Sequence, residues 1–185
     1  MTPASDDRSR RRPLILLGLL VVMGSCGVAK GAQNVASGPP GADFVAPAED
    51  AEMAEVQEEL ARFAPPLRRP LAAANVVVSV LLLVAAWAVA TGRSTRTWWV
   101  TQAALANSVW TGLDGGAQLF ALLDARERLA PLLERALQTP EGGPSPPPWL
   151  QDGSTVIYMG AVLVVLHALV RLGLYGLAIW LARRT

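Results

Sequence analysis

Residues 155–182 read TVIYMGAVLVVLHALVRLGLYGLAIWLA. The stretch is apolar along nearly its whole length, yet it carries His167 and Arg171 near its middle. A run of roughly 18 or more apolar residues reads as a membrane span. A soluble core helix of that length keeps a polar face toward water. A second run, Leu71–Ala90, has no charged residue at all. The whole chain of 185 residues is 52% hydrophobic with a mean hydropathy of +0.34, and its apolar residues come in blocks rather than stripes. The expected fold is all-α: a polytopic membrane helical bundle.

Two further segments complete it. Pro13–Ala29 is apolar and follows Arg8, Arg10, Arg11 and Arg12. It reads as a first transmembrane helix held by its arginines, or as a secretory signal with a basic start and a short apolar core. Val22–Cys26 (VMGSC) resembles a bacterial lipobox, although Met23 stands where leucine is usual. On that reading Cys26 becomes lipidated. Trp98–Leu123 is the least apolar span, opened by an aromatic anchor at Trp98 and Trp99. Four transmembrane helices are therefore expected, or three if the N-terminus is a cleaved signal.

The chain divides accordingly. Residues 1–29 hold the basic N-terminus and first apolar segment, and 30–70 an extracytoplasmic tether and an acidic amphipathic helix. Residues 71–123 hold spans two and three, 124–154 an interfacial helix and a Pro-rich loop, and 155–185 the last span and a basic end. The acidic helix, Pro47–Phe63, carries Met53, Val56, Leu60 and Phe63 on one stripe, a candidate partner surface. A second helix is expected over Asp124–Gln138, kinked or restarted near Pro131.

Charge orients the chain. With both termini inside, the inner segments hold eight arginines against Asp6 and Asp7, whereas the outer blocks hold seven Lys/Arg against twelve acids. This is the positive-inside pattern, and it points to the inner (plasma) membrane of a bacterium.

The polar residues inside the spans fall on stripes. Asn107, Thr111, Asp114 and Gln118 recur at helical spacing on the third span, and His167, Arg171 and Tyr175 lie four apart on the fourth. Aligning the inner ends of these two spans as antiparallel neighbours brings Asp114 level with His167 and Thr111 near Arg171. An intramembrane arginine costs roughly 2.5–3.5 kcal/mol on insertion scales, so a pairing of Asp114 with Arg171, flanked by His167, is expected. Such a contact holds helices together, or it serves a proton relay, because aspartate and histidine titrate across working pH.

Other chemistry finds little support. One cysteine excludes an intrachain disulfide, and one histidine argues against a metal or haem site. There is no phosphate-cradling glycine loop and no nucleophile elbow. A net charge of +1 gives no reason to expect nucleic acid as a partner. The reading is a non-enzymatic accessory or assembly subunit without cofactor, whose partners are the lipid bilayer and a membrane protein or a second copy. The alternative is a transport or proton-relay component using Asp114, His167 and Arg171.

Overall fold

The computed structural model describes residues 4–36, 68–138, 147, 149 and 151–184. The described residues are helical, in five elements: α1 (Ala4–Ala36), α2 (Arg68–Ala90), α3 (Arg96–Asp124), α4 (Arg126–Gln138) and α5 (Gly153–Arg184). Three of these are long and apolar enough to cross a membrane: Arg12–Ala36, Arg69–Ala90 and Gly153–Arg184. The expectation of four such helices meets an exception in α3. It is 29 residues long, but its interior amides, hydroxyls and carboxylate lower its hydropathy. The acidic stripe of Met53, Val56, Leu60 and Phe63 lies outside the described residues.

Two boundaries differ from expectation. The first helix does not stop near Ala29 but continues to Ala36, and Gly31 within this extension lies against α2. The helix expected from Asp124 starts afresh at Arg126, after a bend at Ala125, and runs straight through Pro131. Pro131 is the sixth residue of α4, so the helix runs on without the bond that an N–H there would make to the Glu127 carbonyl.

The helices fall into two compact units. The first contains α1, α2, α3 as far as Leu113, and α5 from Ala168. Its core is built from Leu16 and Leu20 of α1, Leu82, Ala85, Ala86 and Val89 of α2, Val100, Ala103 and Ala104 of α3, and Tyr175, Ala178, Leu181 and Ala182 of α5. Alanines dominate the contacts, and small side chains let helix backbones approach closely where lipid offers no hydrophobic drive. The α2–α3 connection is short and tightly capped. Arg93 N–H bonds Ala88 O and Gly92 N–H bonds Val89 O, both at 3.1 Å, and Gly92 takes φ +63. This is the Schellman arrangement, in which glycine supplies the left-handed residue. It turns the chain back at once, so α2 and α3 run antiparallel side by side.

The second unit contains α3 from Asp114, α4, and α5 up to His167. Ala125, Leu129 and Ile157 form its small core, with Leu122, Ala130 and Leu133 against it. Gly153 lies so close to Ala130 that a Cβ there would strike the Ala130 carbonyl. Arg126 caps the outside of this contact, its guanidinium 4.9 Å from the Tyr158 ring centre.

The start of α5 is fixed by Asp152. Its carboxylate accepts from Thr155 Oγ1 at 2.8 Å and from Ser154 N–H at 3.0 Å. An aspartate here satisfies a helix N–H that has no partner of its own. The Thr155 hydroxyl first, and the Ser154 amide second, hold the Asp152 carboxyl below its usual 3.8. The ionised cap therefore stabilises the helix start above pH 3.8, and that contribution disappears as pH falls through the lower folded value. Amide exchange at Ser154–Val156 is expected to accelerate in that acid window in the native chain. In Asp152→Ala it is expected to be fast already at neutral pH, with no acid step.

Candidate functional site

The polar groups inside the first unit are committed to neighbouring helices. Asn75 is 2% exposed and Ser79 is 1% exposed, on the face of α2 that meets α1. Asn75 Nδ2 donates to Gly27 O at 3.0 Å, and Ser79 Oγ donates to Asn75 Oδ1 at 3.3 Å. Around this bond α1 presents three glycines. A Cβ at Gly24 would lie 2.7 Å from Leu83 Cδ2, one at Gly31 would lie 2.7 Å from Val76 Cγ2, and one at Gly27 would strike Ser79 Oγ. The numbering falls on α2 as it rises on α1, so the two helices are antiparallel and nearly in backbone contact.

An adjacent face of α2 meets α3. Asn107 Nδ2 donates to Val78 O at 2.6 Å and to Ala103 O at 2.9 Å. Trp110 Nε1 donates to Leu71 O at 3.1 Å. Both side chains thus donate to carbonyls on α2. Thr111, one residue beyond Trp110, does not. Its Oγ1 is buried and has no hydrogen-bond partner. A buried hydroxyl without a partner costs about 1–3 kcal/mol. Thr111→Val keeps the shape and removes the orphan oxygen, so it is expected to raise unfolding stability in detergent by about 1 kcal/mol. A loss of stability instead would mean that a bound water completes the hydroxyl.

α3 also meets α5 in this unit. Thr97 Oγ1 donates to Ala182 O at 3.2 Å, and the Arg171 guanidinium lies 5.3 Å from the Trp110 ring centre. These contacts align the two helices antiparallel, Thr97 beside Ala182 and Trp110 beside Arg171. A guanidinium over an indole face is held by the ring's negative quadrupole, worth about 2 kcal/mol when desolvated.

The seven stripe residues are distributed over different surroundings. Asn107 and Thr111 are buried between helices, and Tyr175 is 2% exposed in the core of the first unit. Arg171 is half-buried over Trp110. Asp114 and Gln118 belong to the second unit, where Gln118 Nε2 donates to Asp114 Oδ2 at 2.9 Å. His167 is exposed on α5, also in the second unit. Asp114 and Arg171 therefore each have a neighbour within their own unit. Cys26 is exposed on α1, one residue before the buried Gly27.

Comparing the chain with models of known protein families, with curated proteins and with solved structures gives no match.

The residues that organise this interior were only partly visible in advance. Asn75 and Ser79 stood out as a polar pair on α2. Trp110 did not, because an interior tryptophan looks like any apolar residue until its N–H is placed. Gly24, Gly27 and Gly31 did not stand out either: Gly31 reads as part of the tether, and only the packing of α1 on α2 shows the three as one contact face.

Proposed function

We propose that this protein is a small four-span integral membrane protein, a non-enzymatic accessory or assembly subunit of a bacterial inner membrane. The observation that carries the reading is the use made of the intramembrane polar groups. Asn75, Asn107 and Trp110 each spend a donor on a backbone carbonyl of an adjacent helix. Groups used in this way join helices, whereas a transport path needs polar groups turned toward a wet cavity.

The fourth span is α3. It runs back along α2 from the capped turn, bonded at Val78 and again at Leu71, near the far end of α2. If α2 crosses the bilayer, α3 crosses beside it, its polar face hidden from lipid by α2 itself. Retention of α1 follows from the same logic. The glycine face closed on Asn75 and Ser79 makes α1 a member of the bundle rather than a leader that departs. Both termini then lie on the cytoplasmic side, together with Arg93 and Arg96 of the turn. The outward surface of α5, with Leu163, Val170 and Leu169 exposed, faces lipid or a partner's span.

Cysteine accessibility tests the reading. In a Cys26→Ser background, Ser94→Cys is expected to react with an impermeant maleimide only from the cytoplasmic side, and Glu127→Cys only from the opposite side. Reaction of both from one side rules out α3 as a span. Purification in mild detergent then tests the subunit role: a stable stoichiometric partner supports it, and an isolated chain with proton-coupled activity replaces it with the relay.

A further inference from the structure

The end of the first unit where α2 turns into α3 carries a concentrated positive surface. Arg93 and Arg96 flank the turn. The bond from Thr97 Oγ1 to Ala182 O, at 3.2 Å, brings the last turn of α5 against the start of α3, and that last turn carries Arg183 and Arg184. Four arginines from two chain segments therefore meet at one end of the unit. Arg93, Arg183 and Arg184 are exposed there, whereas Arg96 is half-buried.

Indoles lie among these arginines. The Arg93 guanidinium is 4.1 Å from the Trp87 ring centre, and that of Arg184 is 4.4 Å from the Trp180 ring centre. Trp87, Trp98 and Trp180 are 52%, 57% and 47% exposed. Exposed tryptophans at helix ends mark the headgroup level of a bilayer. A guanidinium stacked on an indole by its face keeps its in-plane N–H donors for another acceptor, and these match phosphate oxygens in pairs. Charge, donors and depth all fit one ligand class.

We propose that Arg93, Arg183 and Arg184 bind the phosphate of an anionic phospholipid headgroup, with Trp87 and Trp180 beside its glycerol and upper acyl chains. The proposal rests on the membrane reading above, and it goes further in choosing among lipids. A free phosphate ion satisfies the arginines but makes no use of the indoles, so the lipid is the source.

The full chain, reconstituted in phosphatidylcholine vesicles, offers a direct test through its tryptophan fluorescence. Brominated phosphatidylglycerol is expected to quench at a several-fold lower mole fraction than brominated phosphatidylcholine, about fivefold for each arginine that engages a lipid phosphate near the surface. In Arg93→Gln/Arg183→Gln/Arg184→Gln that preference is expected to fall by about fivefold or more. It is expected to persist in Arg93→Lys/Arg183→Lys/Arg184→Lys and in Arg135→Gln, which alters an exposed arginine of the other unit. Helical circular dichroism equal to that of the native chain certifies each variant. Equal quenching by the two lipids in the native chain overturns the proposal, as does an undiminished preference in the glutamine variant. Competition by millimolar inorganic phosphate alone overturns the choice of lipid. Failure of the chain to stay with alkaline-washed membranes is a separate result, and it overturns the membrane reading itself.

Discussion

Gly27→Leu is expected to detach α1 from the bundle, with a loss of about 3 kcal/mol or more in unfolding stability. The Cβ alone would strike Ser79 Oγ, and the added branches have no space between α1 and α2. Overpacking in a well-packed site costs about 1–3 kcal/mol. The helices must also separate, which breaks the Asn75–Gly27 hydrogen bond; interhelical polar bonds in membranes are worth about 0.6–2 kcal/mol. Gly27→Ala is expected to show a reduced form of the same effect. Gly18→Leu is the control, since a Cβ at Gly18 meets nothing within 4 Å. Denaturation in mixed micelles by sodium dodecyl sulfate reads the differences. Equal stability of Gly27→Leu and the native chain would sink the close α1–α2 contact. If residues 1–25 are removed during maturation, with lipid on Cys26, intact mass reports it directly.

Trp110→Ala carries the second large effect. Trp110 is 6% exposed, donates to Leu71 O and lies under Arg171. Truncation removes the packing, the α2–α3 bond and the platform of an intramembrane cation together. The expected loss is about 2–4 kcal/mol, near the lower range of tryptophan truncations because lipid supplies no hydrophobic transfer term. Trp110→Phe separates the parts. It keeps a ring beneath Arg171 and loses only the N–H bond, so about 1 kcal/mol is expected. Arg171→Leu then divides the cation from its platform. If Arg171 serves only through the ring, Arg171→Leu in the Trp110→Ala background costs almost nothing further. A large additional loss identifies another partner for the guanidinium.

The apolar blocks made helices unavoidable, and three of the helices are long and apolar enough to cross a membrane. The small polar face of α2 was also readable, because it is a local pattern. Ala72, Asn75, Ser79 and Ala86 of that face are indeed buried, whereas Ala90, at the end of the helix, is exposed. Harder to read was the site itself. Spacing put Asn107, Thr111, Asp114 and Gln118 on one stripe, but spacing is a property of a single helix. It does not say where a neighbouring helix ends or which carbonyl faces a donor.

By itself, then, the sequence determined an all-helical chain with membrane-length apolar segments, a basic turn and a basic end, since composition and period act within one segment. The tertiary structure decided which glycines are contacts rather than linkers, which amides join helices, and that Arg171 rests on an indole. Those depend on how two helices are set against each other, and that setting comes from close packing and donor–acceptor matching between residues distant in the chain.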